Sequence, residues 1–279
     1  MSFFGEVANS NVSILVDEVG IEIGVFGDYR LKTTYRAVFR RLDGMLLEPF
    51  AVEASISPFL RGRPVDPEHF SAALPVGDKP MVENLGRALS LKNLHNLGTD
   101  DVSLFVDVDL AALDGADGVD FEHGSETDPD PSRLICVIAT ASLLDRHDLV
   151  EHTLTLRSAG CSIAVSGFGT GPWDIACMQA VRPDIVQLDA SWFRRAVSHP
   201  AAAKLLVPLV AGLHDLGANI LIEGISNAAE LRAALDCGAD IFQGDLFGQP
   251  VLAGAGFDTA RKSAAEFLGD GSKVVPLFA

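Results

Sequence analysis

Aromatic rings, sulfur and positive charge are all scarce in this sequence. Of 279 residues only two are tryptophan, two tyrosine, four cysteine and four methionine. The 21 lysines and arginines face 38 acids, a formal charge of −17. A field of that sign repels phosphate backbones and anionic membrane surfaces, so general nucleic-acid binding is not expected. The four cysteines (Cys136, Cys161, Cys177, Cys237) are far apart and sit among aliphatic residues, with no C-x-x-C pair of the kind zinc sites use. They read as buried, reduced thiols. The longest apolar runs, such as Leu205 to Leu213, are too short and interrupted to span a bilayer. Met1 to Val7 lacks the basic region and apolar core of a signal peptide. A cytoplasmic location without membrane contact is the expectation.

Hydrophobic residues, by contrast, make up 48% of the chain against 21% charged, enough to bury a sizeable core. From Arg30 onward short β-branched or apolar runs alternate with helical stretches. The predicted strands are Thr34–Arg40, Phe50–Ile56, Ser103–Asp107, Leu134–Ile138, Cys161–Val165, Ile185–Leu188, Ala218–Ile222 and Ile241–Gln243. Several are almost wholly apolar, as expected of a parallel sheet covered on both faces. Helices are predicted at Pro67–Ala73, Pro80–Leu97, Leu143–Ala159, Pro172–Val181, Ser191–Leu216 and Asn227–Cys237, three of them stopping at Gly160, Gly217 and Gly238. Eight strands alternating with helices suit a closed (β/α)8 barrel of the TIM type, and barrels of this kind use about 250 residues as one domain. The same alternation also allows an open doubly wound α/β sheet.

Three stretches fall outside the alternation. Residues 1–29 read as an N-terminal extension, a strand or hairpin, before the barrel at 30–255. Asp114 to Arg133 reads as an exposed acidic loop. Residues 256–279 read as a C-terminal helix around Ala260 to Leu268 and an apolar tail, expected to dock on the body.

In a barrel the active site lies where the strands meet the loops that follow them. Those ends carry Glu53, Asp107, Val137 to Thr140, Ser166 with Gly167, Gln187 with Asp189, Glu223 and Gln243. A carboxylate after an apolar run is costly unless paired or solvated, so Glu53, Asp107 and Glu223 mark a candidate pocket. Each acid alone fits a cap or a solvated rim, and Asp189 fits a helix cap. The recurrence at matching ends of three strands is what singles out the set.

These segments resemble the EAL family of cyclic di-GMP phosphodiesterases over about Lys32 to Pro250. I-E-G-I-S-N at Ile222–Asn227 resembles the family's A-E-G-V-E-T, and G-A-D-I-F-Q-G-D-L-F-G-Q-P at Gly238–Pro250 resembles G-x-D-x-x-Q-G-y-x-x-x-x-P. F-G-T-G at Phe168–Gly171 falls where the family has D-D-F-G-T-G. P-D-I-V-Q-L-D at Pro183–Asp189 falls where it has P-x-D-x-I-K-I-D. Tyr35-Arg36-Ala37-Val38 resembles Y-Q-P-I, and Val52-Glu53-Ala54-Ser55 stands at the E-A-L signature.

The resemblance implies the barrel fold and hydrolysis of a phosphodiester bond by two divalent cations held by clustered carboxylates. It implies equally that most of that machinery has been replaced. Glu53, Glu223 and Gln243 keep their residue types, and Asp107 stands for the usual Asn. Ser55 departs from the signature Leu, and Ser57 replaces an Arg that grips phosphate. Val137 and Thr140 stand where E-x-T-E has its acids, Ser166 and Gly167 replace the D-D pair, and Gln187 replaces the catalytic Lys. The groups lost act as a unit. The expectation is therefore no catalytic residue, no metal site and no cofactor, with Glu53, Asp107, Glu223 and Gln243 as a vestigial pocket.

Three functions follow. The first is an inactive regulatory module that binds a protein partner, as degenerate members of this bacterial signalling family do. The second is a non-hydrolysing cyclic di-GMP receptor with Arg36 as a phosphate contact, disfavoured by the losses at the site. The third is a repurposed barrel enzyme using Glu53, Asp107 and Glu223. A homodimer is a further expectation that the resemblance carries.

Overall fold

A computed structural model describes residues 12–108, 129–139, 149–170 and 175–269. Thr140, the acidic stretch to Asp128, the starts of the helices predicted from 143 and 172, and the apolar end of the tail lie outside the described residues.

The chain begins with a hairpin of β1 (Val12–Val16) and β2 (Glu22–Phe26). Asp17 turns it, its carboxylate accepting from the N–H groups of Val19 and Ile21. Two long strands follow, β3 (Tyr29–Arg41) and β4 (Leu46–Leu60), paired antiparallel from end to end. Short β5 (Arg63–Pro64) folds back on the tip of β4. Asp66 caps α1 (Pro67–Ala73), accepting from the His69 N–H at 2.9 Å, and α2 (Lys79–Lys92) follows. Then come β6 (Ser103–Asp107), β7 (Leu134–Ala139), α3 (Leu149–Ser158), β8 (Ser162–Phe168), α4 (Ile175–Val181) and β9 (Ile185–Leu188). The chain continues through α5 (Ala190–Ser198), α6 (Pro200–Asp215), β10 (Asn219–Ile222), α7 (Ala228–Asp236) and β11 (Ile241–Phe242). It ends in β12 (Val251–Leu252), β13 (Lys262–Ser263) and α8 (Ala264–Leu268). The helix-to-strand junctions at Gly160, Gly217 and Gly238 all take positive φ, the left-handed turn that stops each helix.

Strands β4, β6, β7, β8, β9, β10 and β11 pair in that order, all parallel. Strand β3 pairs antiparallel with β11 on one side and β4 on the other, closing a ring of eight. The closed barrel is present and the open sheet is not. One strand differs from the (β/α)8 pattern, because β3 runs against the other seven. The reason is the connection: residues 42–45 form a tight turn, and a parallel neighbour needs a crossover of a dozen or more residues.

Val38, Ala51, Phe105, Ile135, Val137, Ala164, Ile185, Leu221 and Ile241 fill the barrel as one apolar cluster. A larger core lies between strands and helices, with Leu104, Ile163, Val186, Ile220 and Phe242 on the outward strand faces. The upper parts of β3 and β4 extend past the ring and, with the β1–β2 hairpin, pack Val12 and Leu31 on Phe70 of α1 and Val82, Leu85 and Leu89 of α2. The C-terminal segment docks at the opposite end. There β13 pairs with β4, the Ala264 N–H donates to Met45 O at 2.7 Å, and Phe267 packs 5.0 Å from Phe247. Strand β3 spans the 29/30 position, and strands β12 and β13 on either side of 255/256 both pair into the same sheet. Among the described residues no helix is long and apolar enough to cross a membrane.

Candidate functional site

Side chains alternate along a strand, so the residue two places beyond a barrel-filling residue points inward one layer nearer the mouth. Applied to the interior cluster, this rule takes Ala51 to Glu53, Phe105 to Asp107, Ala164 to Ser166 and Ile185 to Gln187. It takes Leu221 to Glu223 and Ile241 to Gln243, just past their strands, and on reversed β3 it takes Val38 to Arg36. The barrel mouth thus collects Glu53, Asp107, Glu223 and Gln243 in one ring.

The acids sense one another. Glu223 is pushed up to about 7, first by burial and then by the charges of Glu53, Asp189 and Asp107. Burial also raises Asp107, with Arg87 opposing and Glu83 adding. The side-chain amide of Gln243 donates to Glu53 Oε2, and Gln243 itself is buried. Asp189 is a helix cap: it accepts from the Trp192 N–H at 2.8 Å and from Ser191 Oγ. Burial would raise Asp189, but those hydrogen bonds outweigh it and hold its carboxyl below the usual range.

The replaced positions contribute no charge. Val137 lies in the apolar interior, paired in register with Asp107 and Ala164. Ser166 and Gly167 sit at an irregular step where β8 loses register with β9. Gln187 is buried in β9. On the mouth-facing side of β4 the Ser55 hydroxyl meets Thr34 Oγ1 at 2.8 Å. Ser57 lies directly across from Lys32, whose ammonium sits 5.1 Å from the centre of the Phe59 ring.

Arg36, the candidate phosphate contact, stands on β3 beside Glu53. It faces Glu53 in register, yet its guanidinium pairs with Asp245 at 2.6 Å. Sequence reasoning missed Asp245, Lys32 and the Gln243–Glu53 contact. The one available signal was Asp245 itself, an acid in Q-G-D where the family pattern has y.

Two glycines set the loops that carry Glu223 and Gln243. A Cβ on Gly244 would lie 2.1 Å from Ile225 O, because the loop after β10 crosses directly over it. The Ile225 N–H donates to Gln243 O at 2.9 Å, and the Leu246 N–H to Ile225 O at 3.1 Å. Gly224 has φ +65 and offers its carbonyl to Arg194 at 2.8 Å. Ser226 then anchors to Glu230, while Asn227 caps α7.

A two-cation centre does not fit these residues. Glu53 has one oxygen committed to an amide, Val137 offers only methyl groups, and Ser166 with Gly167 offer no charge. Among the described residues no three His, Cys, Asp or Glu side chains lie close enough to hold a metal ion.

An eight-stranded barrel with one reversed strand and acids at its mouth defines the class of molecule. The EAL domain pattern matches residues 78–250, and the chain belongs to the EAL domain family. It is 28% identical over 123 residues to an uncharacterized protein of Azorhizobium caulinodans, covering 43% of this chain and 17% of that one. It is 30% identical over 119 residues to the cyclic di-GMP phosphodiesterase PdeF of Escherichia coli K12, covering 42% and 16%. The chain thus spans only about a sixth of the length of these curated relatives. The solved structure of the PaMucR phosphodiesterase in complex with c-di-GMP has the same fold, with a TM-score of 0.65 at 19% identity over 79% of this chain and 92% of that one.

Proposed function

We propose that this barrel has lost cyclic di-GMP hydrolysis and serves as a regulatory module that binds another protein. The observation that carries the reading is Val137, an aliphatic side chain inside the barrel and beside Asp107, where a metal-binding relative needs a carboxylate. Ser166, Gly167 and Gln187 compound it, since water activation and charge neutralisation both require the missing groups. PdeF is a phosphodiesterase; on this reading the present chain keeps its frame without its reaction. The test is direct. The purified chain with cyclic di-GMP and Mn²⁺ is expected to yield no linear product, and product above the buffer background would overturn the reading.

A second reading, a receptor that binds the nucleotide without hydrolysing it, draws on Lys32. This cation stands across from Ser57 on the mouth-facing side of the β3–β4 hairpin, beside the hydroxyls of Thr34 and Ser55. Calorimetry with cyclic di-GMP, with and without Mg²⁺, separates the two. Heat at micromolar concentration that Lys32→Ala removes favours the receptor, and its absence favours the protein-binding module.

A further inference from the structure

The sheet of β1 to β4 that rises past the barrel mouth is covered on one face. Val12, Ile14, Gly24, Leu31 and Ile56 turn toward α1 and α2. Side chains alternate, so register sets the residues between them on the opposite face. There Leu15 lies beside Ile23, Ser13 beside Val25, Lys32 beside Ser57 and Arg30 beside Phe59. The helices packed on these strands, α1 and α2, both belong to the first face. Leu15 is accordingly 52% exposed, and Val19 in the adjoining turn 78% exposed. A cavity of about 170 Å³ opens at the lower edge, walled by Ile21, Ile23, Leu252 and Lys32. Asp17 lines it too, but that carboxylate already takes the N–H groups of Val19 and Ile21.

Charge marks the same face. The sequence carries about one acid every seven residues, yet positions 13, 15, 23, 25, 30, 32, 34, 55, 57 and 59 hold none. Arg30 and Lys32 stand among them on β3. Neither meets a carboxylate among the described residues: Arg30 donates to the carbonyls of Gly27 and Tyr29, and Lys32 lies over the Phe59 ring. In a chain of net charge −17, this is where an acidic partner finds attraction in place of repulsion. Exposed Asp17, Glu18 and Asp28 stand in the turns at the two ends of the strip. A broad anionic surface such as a bilayer would press against those acids, whereas a single helix fits between them.

We propose that this face is a docking site for an acidic amphipathic helix of a partner protein. The apolar stripe of that helix lies along Leu15, Ile23 and Val25, and its acids lie over Arg30 and Lys32. One bulky side chain fills the cavity beside Leu252, an anchor of the kind that carries most of the energy of an interface. Four strands about 4.8 Å apart give a floor roughly 14 Å wide, enough for one helix of about 10 Å. The inference rests on the reading of the chain as a protein-binding module and adds where it binds and what. The two fail separately. Linear product from cyclic di-GMP ends that reading without touching the face, and a face that takes no acidic helix leaves the loss of hydrolysis standing.

Fluorescence anisotropy of the full chain with a labelled peptide of leucine, alanine and glutamate tests the proposal, the peptide making about five amphipathic turns. A peptide of the same composition in scrambled order is the comparison, and thermal melts confirm that each variant is folded. The amphipathic peptide is expected to bind roughly tenfold more tightly than the scrambled one. Arg30→Glu and Lys32→Glu are each expected to weaken it by about tenfold, and Leu15→Glu by as much or more. Lys204→Glu, on exposed α6, is expected to leave it unchanged. Equal binding of the two peptides overturns the proposal. Binding indifferent to Leu15→Glu or to both charge reversals overturns it, as does an equal loss in Lys204→Glu. Cosedimentation with phosphatidylserine vesicles that Lys32→Glu abolishes, with no peptide bound, assigns the face to lipid and also overturns it.

Discussion

Gln243 reaches across β3 to donate its amide to Glu53 on β4. Arg36, the register partner of Glu53, pairs instead with Asp245 at 2.6 Å. A neutral amide has taken the carboxylate, and the nearby cation has been drawn off to another acid. Replacing Gln243 with Leu should lower stability by about 1 kcal/mol through loss of that hydrogen bond. Gln243→Glu should cost more at pH 8 than at pH 5, because it sets a second acid against Glu53. Chemical denaturation of both variants at the two pH values measures the difference.

Glu223 makes the barrel sensitive to pH. Its folded value, about 7, lies above the ordinary value of 4.5, so between the two the folded chain holds more protons than the unfolded one. Stability therefore falls as pH rises from about 4.5 through 7 and levels off above that. Glu223→Gln should flatten this decline, and the gain over wild type at pH 8 has an upper bound on the order of 3 kcal/mol. Melting curves of the two proteins at pH 5 and pH 8 test the sign. A variant less stable than wild type at pH 8 would contradict it.

Val137→Glu restores the acid that the family pattern expects, but into an apolar layer. We expect a loss on the order of 3 kcal/mol from burying an unpaired carboxyl. Mn²⁺ should not recover it, because Ser166 and Gly167 still supply no second set of ligands. Melting the variant in EDTA and in Mn²⁺ checks this, and a metal-dependent rise in Tm would count against the account of the site.

Gly244→Ala should be among the most damaging single-methyl changes in the chain. Its Cβ would lie 2.1 Å from a backbone oxygen at a φ of +153, so the expected loss is about 3 kcal/mol or more. Gly248→Ala is the control: its φ of +129 is also unfavourable, but nothing lies within 4 Å. That variant should lose only about 1 kcal/mol. Comparing soluble yield and Tm of the pair separates collision from backbone strain.

Much of the barrel was legible because its signals are local. Apolar runs, glycine stops and cap residues depend on a few neighbouring positions, so the strand count, the cap at Asp189 and the positions of Glu53, Asp107, Glu223 and Gln243 could be read directly. The lengths of β3 and β4 could not. Their upper halves are strands because α1, α2 and the β1–β2 hairpin pack on one face, and that packing is a long-range fact.

The sequence by itself determined the alternation of strands and helices, the family and the absence of a charged side chain at Val137, Ser166, Gly167 and Gln187, since residue identity is enough to withhold a charge. Only the tertiary structure decided that β3 runs backward to close the ring and that Arg36 is claimed by Asp245 while Gln243 claims Glu53. Only it brought Leu252 beside Ile21 and Ile23 at the edge of an open sheet face. Each of these depends on pairs of residues far apart in the chain, brought together by the closure of the barrel.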